Sequence, residues 1–580
     1  MHEPQAHTYE FGDFRVDATK RLLLGRDDEP LPLTPKAFDT LLYLVEHSEA
    51  VLDKEELLKA IWPDTIVEEN NLNQNISALR RVLGENRGEH RYIVTVPGRG
   101  YRFVAEVRTH TTRRQTPAAA TVKAIAVLPL MPLVAEHRDA ALELGMADTL
   151  IAKLSNIRKL IVRPISSVRQ YVNLDQDPLA AGQELGVESV LEGSIQRWGD
   201  AIRVTVRLIN VSTGAALWAG SFDEKFTDIF AVQDAIAERV AGALALQLGY
   251  EERQRLTRRY TENAEAYELY LKGRFHVNKL TPPDMQTAIS YFQRAIEFDP
   301  AYALAYVGLA NAFLRIPLAG ERPSTEFYPK AKEAAQKAIE IDDTLAETHA
   351  ALGWIIFWYE WNWSETENQF RRALELDPND ADSHLGYAHL LSNTGRHEEG
   401  LAEVKRAREL DPLNLLSNAL EGQFLLHAER PDEALARLRK TLELEPHFWL
   451  ACLFASSAYI EKGMFAEAVA EAHKARDFSG GSTHAMAFDG FALAKSGKQA
   501  EARGVLEELL KLSTQRYIPP YHLALVYNCL DERDETLAWL ERGFEQRDPK
   551  MTFLKVEPKW NNLRDDPRFV SLLKRLKLLP

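Results

Sequence analysis

Asn70, Asn71, Gln74, Ser77, Ala78 and Arg81 fall on one face when residues 69–83 are wound as a helix. An exposed helix face is usually dense in Glu and Lys. This one carries amides, a hydroxyl, a small residue and an arginine, the groups that hydrogen-bond base edges and phosphates in a duplex groove. The chemistry on offer is recognition rather than bond making. Arg80 and Asn73 lie on one flank of this face and Asn75 on the other. The element that must hold them is an amphipathic helix, because Leu72, Ile76, Leu79 and Leu83 recur at helical spacing and form its apolar stripe. Glu68 and Glu69 suit the positive end of the helix dipole, and Gly84 follows the other end.

The residues after Gly84 set the context. Arg91–Val96 reads as a strand, Pro97–Gly100 as a tight turn and Tyr101–Val104 as a return strand. A helix followed by a hairpin with a basic tip is a winged helix. Upstream, Tyr9–Val16, Arg21–Leu24 and Leu31–Leu33 read as short strands. Thr34 caps a helix that starts at Pro35 and runs to about Glu46, with Phe38, Leu41, Leu42 and Val45 as its buried stripe. A second helix, Lys54–Trp62, stops before Pro63, with Trp62 read as a plug between helices.

Residues 8–106 resemble the DNA-binding domain of OmpR/PhoB-type response regulators, nearest the ToxR/CadC-like branch. The match is carried by Leu33–Asp39, Leu41-Leu42, Val51-Leu52, Glu55–Leu58, Ile61-Trp62, Val67, Ile76–Arg81, Leu83-Gly84 and Val94–Phe103. The resemblance implies base reading by Asn70, Gln74, Ser77, Ala78 and Arg81, with Asn71 on the same face. It implies phosphate contact by Arg80, Asn75 and Thr95, with Arg99 at the wing. Many members carry a basic residue where this chain has Pro97, and Arg99 is the nearest substitute.

A net charge of −15 over 580 residues looks wrong for a nucleic-acid binder, but its distribution does not. Between Ser77 and Arg108 seven arginines face three glutamates, a local +4. The length requires several domains, and the composition, 45% hydrophobic and 27% charged, is that of a globular protein. No run of about 18 apolar residues is present, so no membrane helix is expected. The N-terminus lacks the basic start and apolar core of a signal peptide. Cys452 and Cys529 are the only cysteines and lie without ligand spacing, which fits a reducing cytoplasm.

Residues 1–107 are thus expected to form the winged helix and residues 108–121, RTHTTRRQTPAAAT, a polar linker. Residues 122–250 read as an α/β mixed-sheet domain. Its strands are Ala124–Leu128, Leu160–Val162, Ser189–Arg197, Ala201–Asn210 and Ala216–Phe222, and its helices Ala140–Leu154, Leu179–Leu185 and Ile229–Leu248. It resembles the TolB-N-terminal-like module on Ile125–Pro129, Gly145–Asp148, Leu191–Ser194, Thr213-Gly214, Leu217-Trp218, Phe230 and Gln233-Asp234. That resemblance carries no settled chemistry, and sensing and spacing are equal readings of it.

Over residues 251–550 the chain repeats itself. Pro300, Asp343, Pro378, Pro412, Pro446, Gly480, Thr514 and Pro549 mark helix ends separated by 43, 35, 34, 34, 34, 34 and 35 residues. A 34-residue period of paired helices is the tetratricopeptide signature and gives about eight repeats in an all-α solenoid. The 43-residue step implies a longer loop near Pro317–Pro329, and residues 551–580 read as a capping helix. The aromatic run Trp354–Trp363 reads first as core packing. The alternative is a peptide pocket built on Trp354, Trp358 and Trp361.

Motifs for serine hydrolysis, zinc proteolysis, nucleotide phosphate binding and dinucleotide binding are absent, and the 16 histidines are scattered. No catalytic residue, metal site or cofactor is therefore expected. No receiver domain with a phosphorylatable aspartate precedes the winged helix. The whole reads as a multidomain, cytoplasmic, one-component-like transcriptional regulator: winged helix-turn-helix, α/β domain, tetratricopeptide solenoid. Its expected partners are double-stranded DNA, a protein or peptide in the repeat groove and a second copy on adjacent half-sites. The competing reading is an adaptor whose winged helix contacts protein, such as RNA polymerase, and binds DNA weakly. Operator, inducing signal and direction of control are not written in the sequence.

Overall fold

The computed structural model describes residues 8–17, 22–25, 30–31, 33–48, 50–61, 69–85, 89–110, 124–132, 138–172, 177–244, 246, 248–256, 258–279, 281–318 and 322–579. The chain divides into two compact units, residues 1–121 and residues 122–580.

In the first unit β1 (Thr8–Phe11), β2 (Phe14–Asp17), β3 (Leu22–Leu24) and β4 (Pro30–Leu31) form an antiparallel sheet. The stretch 9–16, expected as one strand, folds back on itself because Gly12 takes a positive φ of 54° and makes a tight hairpin with Asp13. Helix α1 (Pro35–Glu46) starts where its cap predicts, with the Thr34 hydroxyl accepting from the Ala37 N–H at 3.3 Å. Strand β5 (Leu52–Asp53) leads into α2 (Lys54–Ile61), and α3 (Glu69–Val82) is followed by the wing, β6 (Ile93–Val96) and β7 (Gly100–Phe103). Trp62 lies outside the described residues. In α1 Phe38, Leu41 and Val45 are buried as expected, while Leu44 is fully buried and Leu42 only partly so, a small rotation of the stripe.

The core joins helices to both sheets: Phe38, Leu41, Leu72, Ile76, Leu79, Ile93 and Phe103 are all buried, and Phe11 meets Phe103 edge-on at 4.9 Å. Gly100 is required where the wing crosses β5, since a Cβ there would lie 1.9 Å from the Leu52 carbonyl oxygen. One expectation fails. Arg108–His110, read as the start of the linker, forms strand β8 on the free edge of β1, with Tyr9 opposite Thr109. A pairing between residues about a hundred positions apart leaves no local pattern. Residues 111–121 lie outside the described residues.

The second unit opens with a mixed sheet in the order β11-β9-β12-β13-β14. The strands are β9 (Ala124–Val127), β11 (Ile161–Val162), β12 (Ser189–Trp198), β13 (Ala201–Asn210) and β14 (Ala216–Lys225), while β10 (Met131–Pro132) pairs with β12. The neighbours of β9 run parallel to it, and β12, β13 and β14 are antiparallel. All four residues of β9 are buried, as its unbroken apolar run requires. Helix Ala140–Ser155 packs against the sheet, and Ile229–Ala243 ends five residues before the expected Leu248.

Eight successive helix pairs follow among the described residues, from Ala264–Val277 with Pro282–Phe298 to Pro520–Cys529 with Arg533–Glu545. The small residues of the second helices, including Ala288, Ala295, Ala335, Ala373, Ala434, Ala472 and Ala502, are fully buried. They let each pair approach closely. The first helices use glycine for the same purpose, and a Cβ on Gly386 would lie 2.3 Å from the Phe370 ring. The long repeat step holds no long loop. Its extra residues lengthen the helices Ala303–Leu318 and Ser324–Ile341, which take in Pro317 and Pro329. The apolar pattern continues through them, with Phe327, Tyr328 and Ala331 buried.

The aromatic run is core. Trp354, Trp358 and Trp361 are buried, Trp354 and Trp358 stack at 5.8 Å, and the run ends in a π-turn, Ile356–Glu360, closed by Trp361 at φ 57°. Buried rings cannot serve as an open peptide pocket, so that alternative falls. The cover comes from the chain itself. Residues 549–563 form two 3-10 turns rather than part of one capping helix, followed by the helix Pro567–Arg575. These turns lie along the first helices of the array. The Phe553 ring meets Trp358, His389 and His427, Lys555 Nζ donates to the Thr394 carbonyl at 2.7 Å, and Trp560 Nε1 donates to the Tyr521 hydroxyl at 3.1 Å.

Candidate nucleic-acid interface

Helix α3 is held by one face and presents the other. Leu72, Ile76 and Leu79 are at most 2% exposed, while Asn71, Gln74, Ser77 and Arg81 are exposed and Ala78 is half-buried. The amide-rich face inferred from sequence is therefore an outer surface. Asn70 is the second residue of the helix, and its side chain lies outside the described residues.

The flanking residues do different work. Asn75 is half-buried and its Nδ2 donates to the Thr40 hydroxyl at 3.1 Å, which itself donates to the Lys36 carbonyl at 2.7 Å. This ties α3 to α1. The Arg80 guanidinium donates to the Ile93 carbonyl and to the Thr95 hydroxyl, each at 2.9 Å, and sits 3.8 Å from the Glu85 carboxylate. Glu85 is buried and accepts from the Tyr92 N–H at 3.1 Å. Arg80, Asn75 and Thr95, expected on phosphates, thus make hydrogen bonds within the domain that position the face beside them, with Thr95 still exposed. Arg99 is exposed at the wing tip, where its N–H donates to the Val96 carbonyl at 3.1 Å.

Two positioning groups were not singled out from sequence. The Tyr101 hydroxyl, on β7, donates to Asn73 Oδ1 at 2.6 Å. Arg91 donates to the Gly84 carbonyl at 3.0 Å, completing the end of α3. The only sequence signal for the first was an aromatic at the wing base facing a polar helix flank. Arg102 is exposed on the wing and adds to the cationic side.

Known proteins resemble parts of this chain in sequence. Residues 28–103 match the profile of the family described as transcriptional regulatory protein, C terminal. Residues 121–239, read above as TolB-N-terminal-like, match that of the HilA/YgeH-like transcriptional regulator, second domain, and residues 370–402 match the tetratricopeptide repeat. Putative adenylate cyclase 3 of Rhizobium meliloti (strain 1021) is 32% identical over 235 residues, 40% of this chain and 40% of that protein. Transcriptional regulator HilA of Salmonella typhimurium (strain LT2) is 26% identical over 398 residues, 68% of this chain and 69% of HilA. The chain therefore spans less than half of the Rhizobium protein and about two thirds of HilA. Among solved structures, the DNA-binding domain of E. coli CadC is 32% identical, covering 18% of this chain and 97% of that one, with a TM-score of 0.17.

Proposed function

We propose, on the premise that the first unit is a winged-helix DNA-binding domain of the OmpR/PhoB transcriptional-regulator type in a chain that also carries tetratricopeptide repeats, that this protein is a sequence-specific DNA-binding regulator of the one-component kind. The observation that carries the reading is the outer face of α3. Asn71, Gln74, Ser77 and Arg81 stand exposed on a helix whose other face is fixed in the core. Amides suit adenine edges and arginine suits guanine. In this reading Asn70, Gln74, Ser77, Ala78 and Arg81 read bases, and Arg99 with Arg102 reaches the backbone from the wing. Arg80 and Thr95 hold helix and wing in register, and Asn75 ties the helix to α1.

The repeat array contributes a protein partner, RNA polymerase being one candidate, and a second copy on an adjacent half-site is another. A reader of duplex DNA works where the DNA is, so we place it in the bacterial cytoplasm. Among the described residues no helix is long and apolar enough to cross a membrane. No catalytic step is assigned; the adenylate cyclase name belongs to the Rhizobium protein.

Genome-wide footprinting of the tagged chain, followed by band shifts with residues 1–121, tests the reading. The fragment should bind footprinted duplexes, with affinity falling steeply as salt rises. No binding at low salt would transfer support to the adaptor.

A further inference from the structure

Within the second unit the α/β domain sits on one edge of the repeat array, and the contacts follow a rule. Each second helix of a repeat ends with carbonyls that lack intrahelical partners, at the negative end of its dipole. At four successive repeats the preceding chain meets these ends: residues 258–261 reach the side chains just after the first two, and the α/β domain reaches the carbonyls of the next two. The Thr261 hydroxyl donates to Asp299 at 2.5 Å. Arg258 lies 2.7 Å from Asp342 and donates to the Thr344 hydroxyl at 2.5 Å. Arg158 donates to the Glu375 carbonyl at 3.5 Å, and Asn379 Nδ2 returns a hydrogen bond to the Arg158 carbonyl at 3.3 Å. Arg163 donates to the carbonyls of Glu409 and Leu410 at 2.8 and 2.7 Å, while Ser166 and Ser167 both donate to Asp411. As a result Leu410 and Asp411 are each 1% exposed.

The row then continues without contacts from the α/β domain among the described residues. Leu444 and Phe478 follow Leu410 at steps of 34 residues, and they are 52% and 38% exposed. Leu416, at the start of the helix paired with the one ending at Leu444, is 41% exposed. His447 meets the Phe478 ring edge-on at 4.6 Å, and Glu443 and Asp477 add exposed negative charge beside the two helix ends. Of the nearby cations, Arg476 is neutralised by Asp489 and Glu508, and Arg516 donates to the Gly481 carbonyl at 2.8 Å. No described residue of the α/β domain reaches these two ends.

We propose that the edge formed by Leu416, Leu444, His447 and Phe478 docks a segment of another protein. Its chemistry is the one the α/β domain already displays on this edge: an arginine for the helix-end carbonyls and a hydroxyl beside it. Continuity with the existing interface and the negative helix ends argue for this occupant. A second copy of the chain is a poor one, because its own Arg163 is buried against its own array. The inner route along the first helices is filled by residues 549–563, which directs a partner to the edge. The inference rests on the reading that the array binds protein.

The test uses the full-length chain and a fluorescent peptide of residues 157–169, which carries Arg163, Ser166 and Ser167 in their native order. Saturable binding is expected, weakened at least about tenfold by Leu444→Glu with Phe478→Glu, or by Arg163→Ala in the peptide. Leu444→Ser with Phe478→Ser is the milder pair, and thermal melts check that each variant folds. Equal binding to wild type and both pairs, or no binding at millimolar peptide, overturns the proposal. So does sedimentation showing that the same substitutions turn a dimer into a monomer, since the occupant would then be a second copy. DNA binding by residues 1–121 is untouched by any of these outcomes, so failure here is distinct from failure of the regulator reading.

Discussion

The Arg80 guanidinium holds the Thr95 hydroxyl at 2.9 Å, joining the exposed helix α3 to the first strand of the wing across fifteen residues of chain. The same group satisfies the Ile93 carbonyl, so one side chain fixes the angle between the two elements that would enter DNA. Arg80→Ala should therefore lower the stability of the first unit by about 1–3 kcal/mol, the range for hydrogen bonds from a charged donor. It should weaken specific and random duplex alike. Arg80→Lys should rescue little, because an ammonium lacks the fork that reaches two acceptors. A melting temperature unchanged by Arg80→Ala would sink this role.

Gln74 and Arg81 stand exposed on the outer face. Gln74→Ala and Arg81→Ala should each weaken binding to the footprinted site by about 1–3 kcal/mol while leaving thermal stability unchanged. Competition band shifts against random duplex decide the point. Equal losses on both duplexes would mean phosphate contact only. Asn75→Ala gives the opposite pattern, costing about 1 kcal/mol of stability through the lost Thr40 bond.

Paired binding is the third expectation. Sites with two half-sites about one helical turn apart should take two winged helices with higher affinity than single half-sites. Titration in native gels reads the stoichiometry, and one protein per duplex at equal affinity on both would exclude pairing.

The fourth concerns pH. His389 and His427 are 4% and 5% exposed, and their pKa values are pushed down to about 3. Burial is the main cause for both. Around His389 the charges of His427 and Lys550 add to it, while at His427 Glu557 opposes it and His397 and Lys559 reinforce it. His389 is enclosed by the rings of Trp354, Phe357, Trp358, Phe424 and Phe553. In the unfolded chain both imidazoles titrate near about 6.5. Between there and about 3 the unfolded state binds more protons, so stability falls as pH falls, by up to about 1.4 kcal/mol per pH unit for each ring. Above that window they contribute no slope. Denaturant midpoints measured from pH 7.5 to 5 should show the decline, and His389→Leu should make it shallower by one ring's share. An unchanged slope in that variant would assign the acid sensitivity elsewhere.

Much of this was legible beforehand, for reasons that differ by element. The start of α1 follows from Thr34 and Pro35, a signal confined to two adjacent residues. The stripe of α3 is periodic, and the repeat step recurs often enough to survive drift from Pro to Gly480 and Thr514. What stayed hidden was long-range. Nothing around Arg108 announces its pairing with β1, and nothing in residues 549–563 announces that they lie along the array. The outer face of α3 was readable because exposure follows from periodicity. The use of Asn75 and Arg80 as internal ties was not, because their acceptors lie on other elements.

The contacts of the C-terminal segment have a consequence for synthesis. Trp363 Nε1 donates to the Leu576 carbonyl at 3.0 Å across 213 residues, and Arg547 and Lys555 reach back to Tyr359 and Thr394 across 188 and 161. An open solenoid can close repeat by repeat as it leaves the ribosome. Here the tryptophans near residue 358 emerge long before the rings that cover them. At about 5–20 residues per second the gap is about 10–40 s. For that interval the nascent chain shows a cluster of indoles to the cell, and a holdase or a fast neighbouring repeat must shield it until the final residues are made.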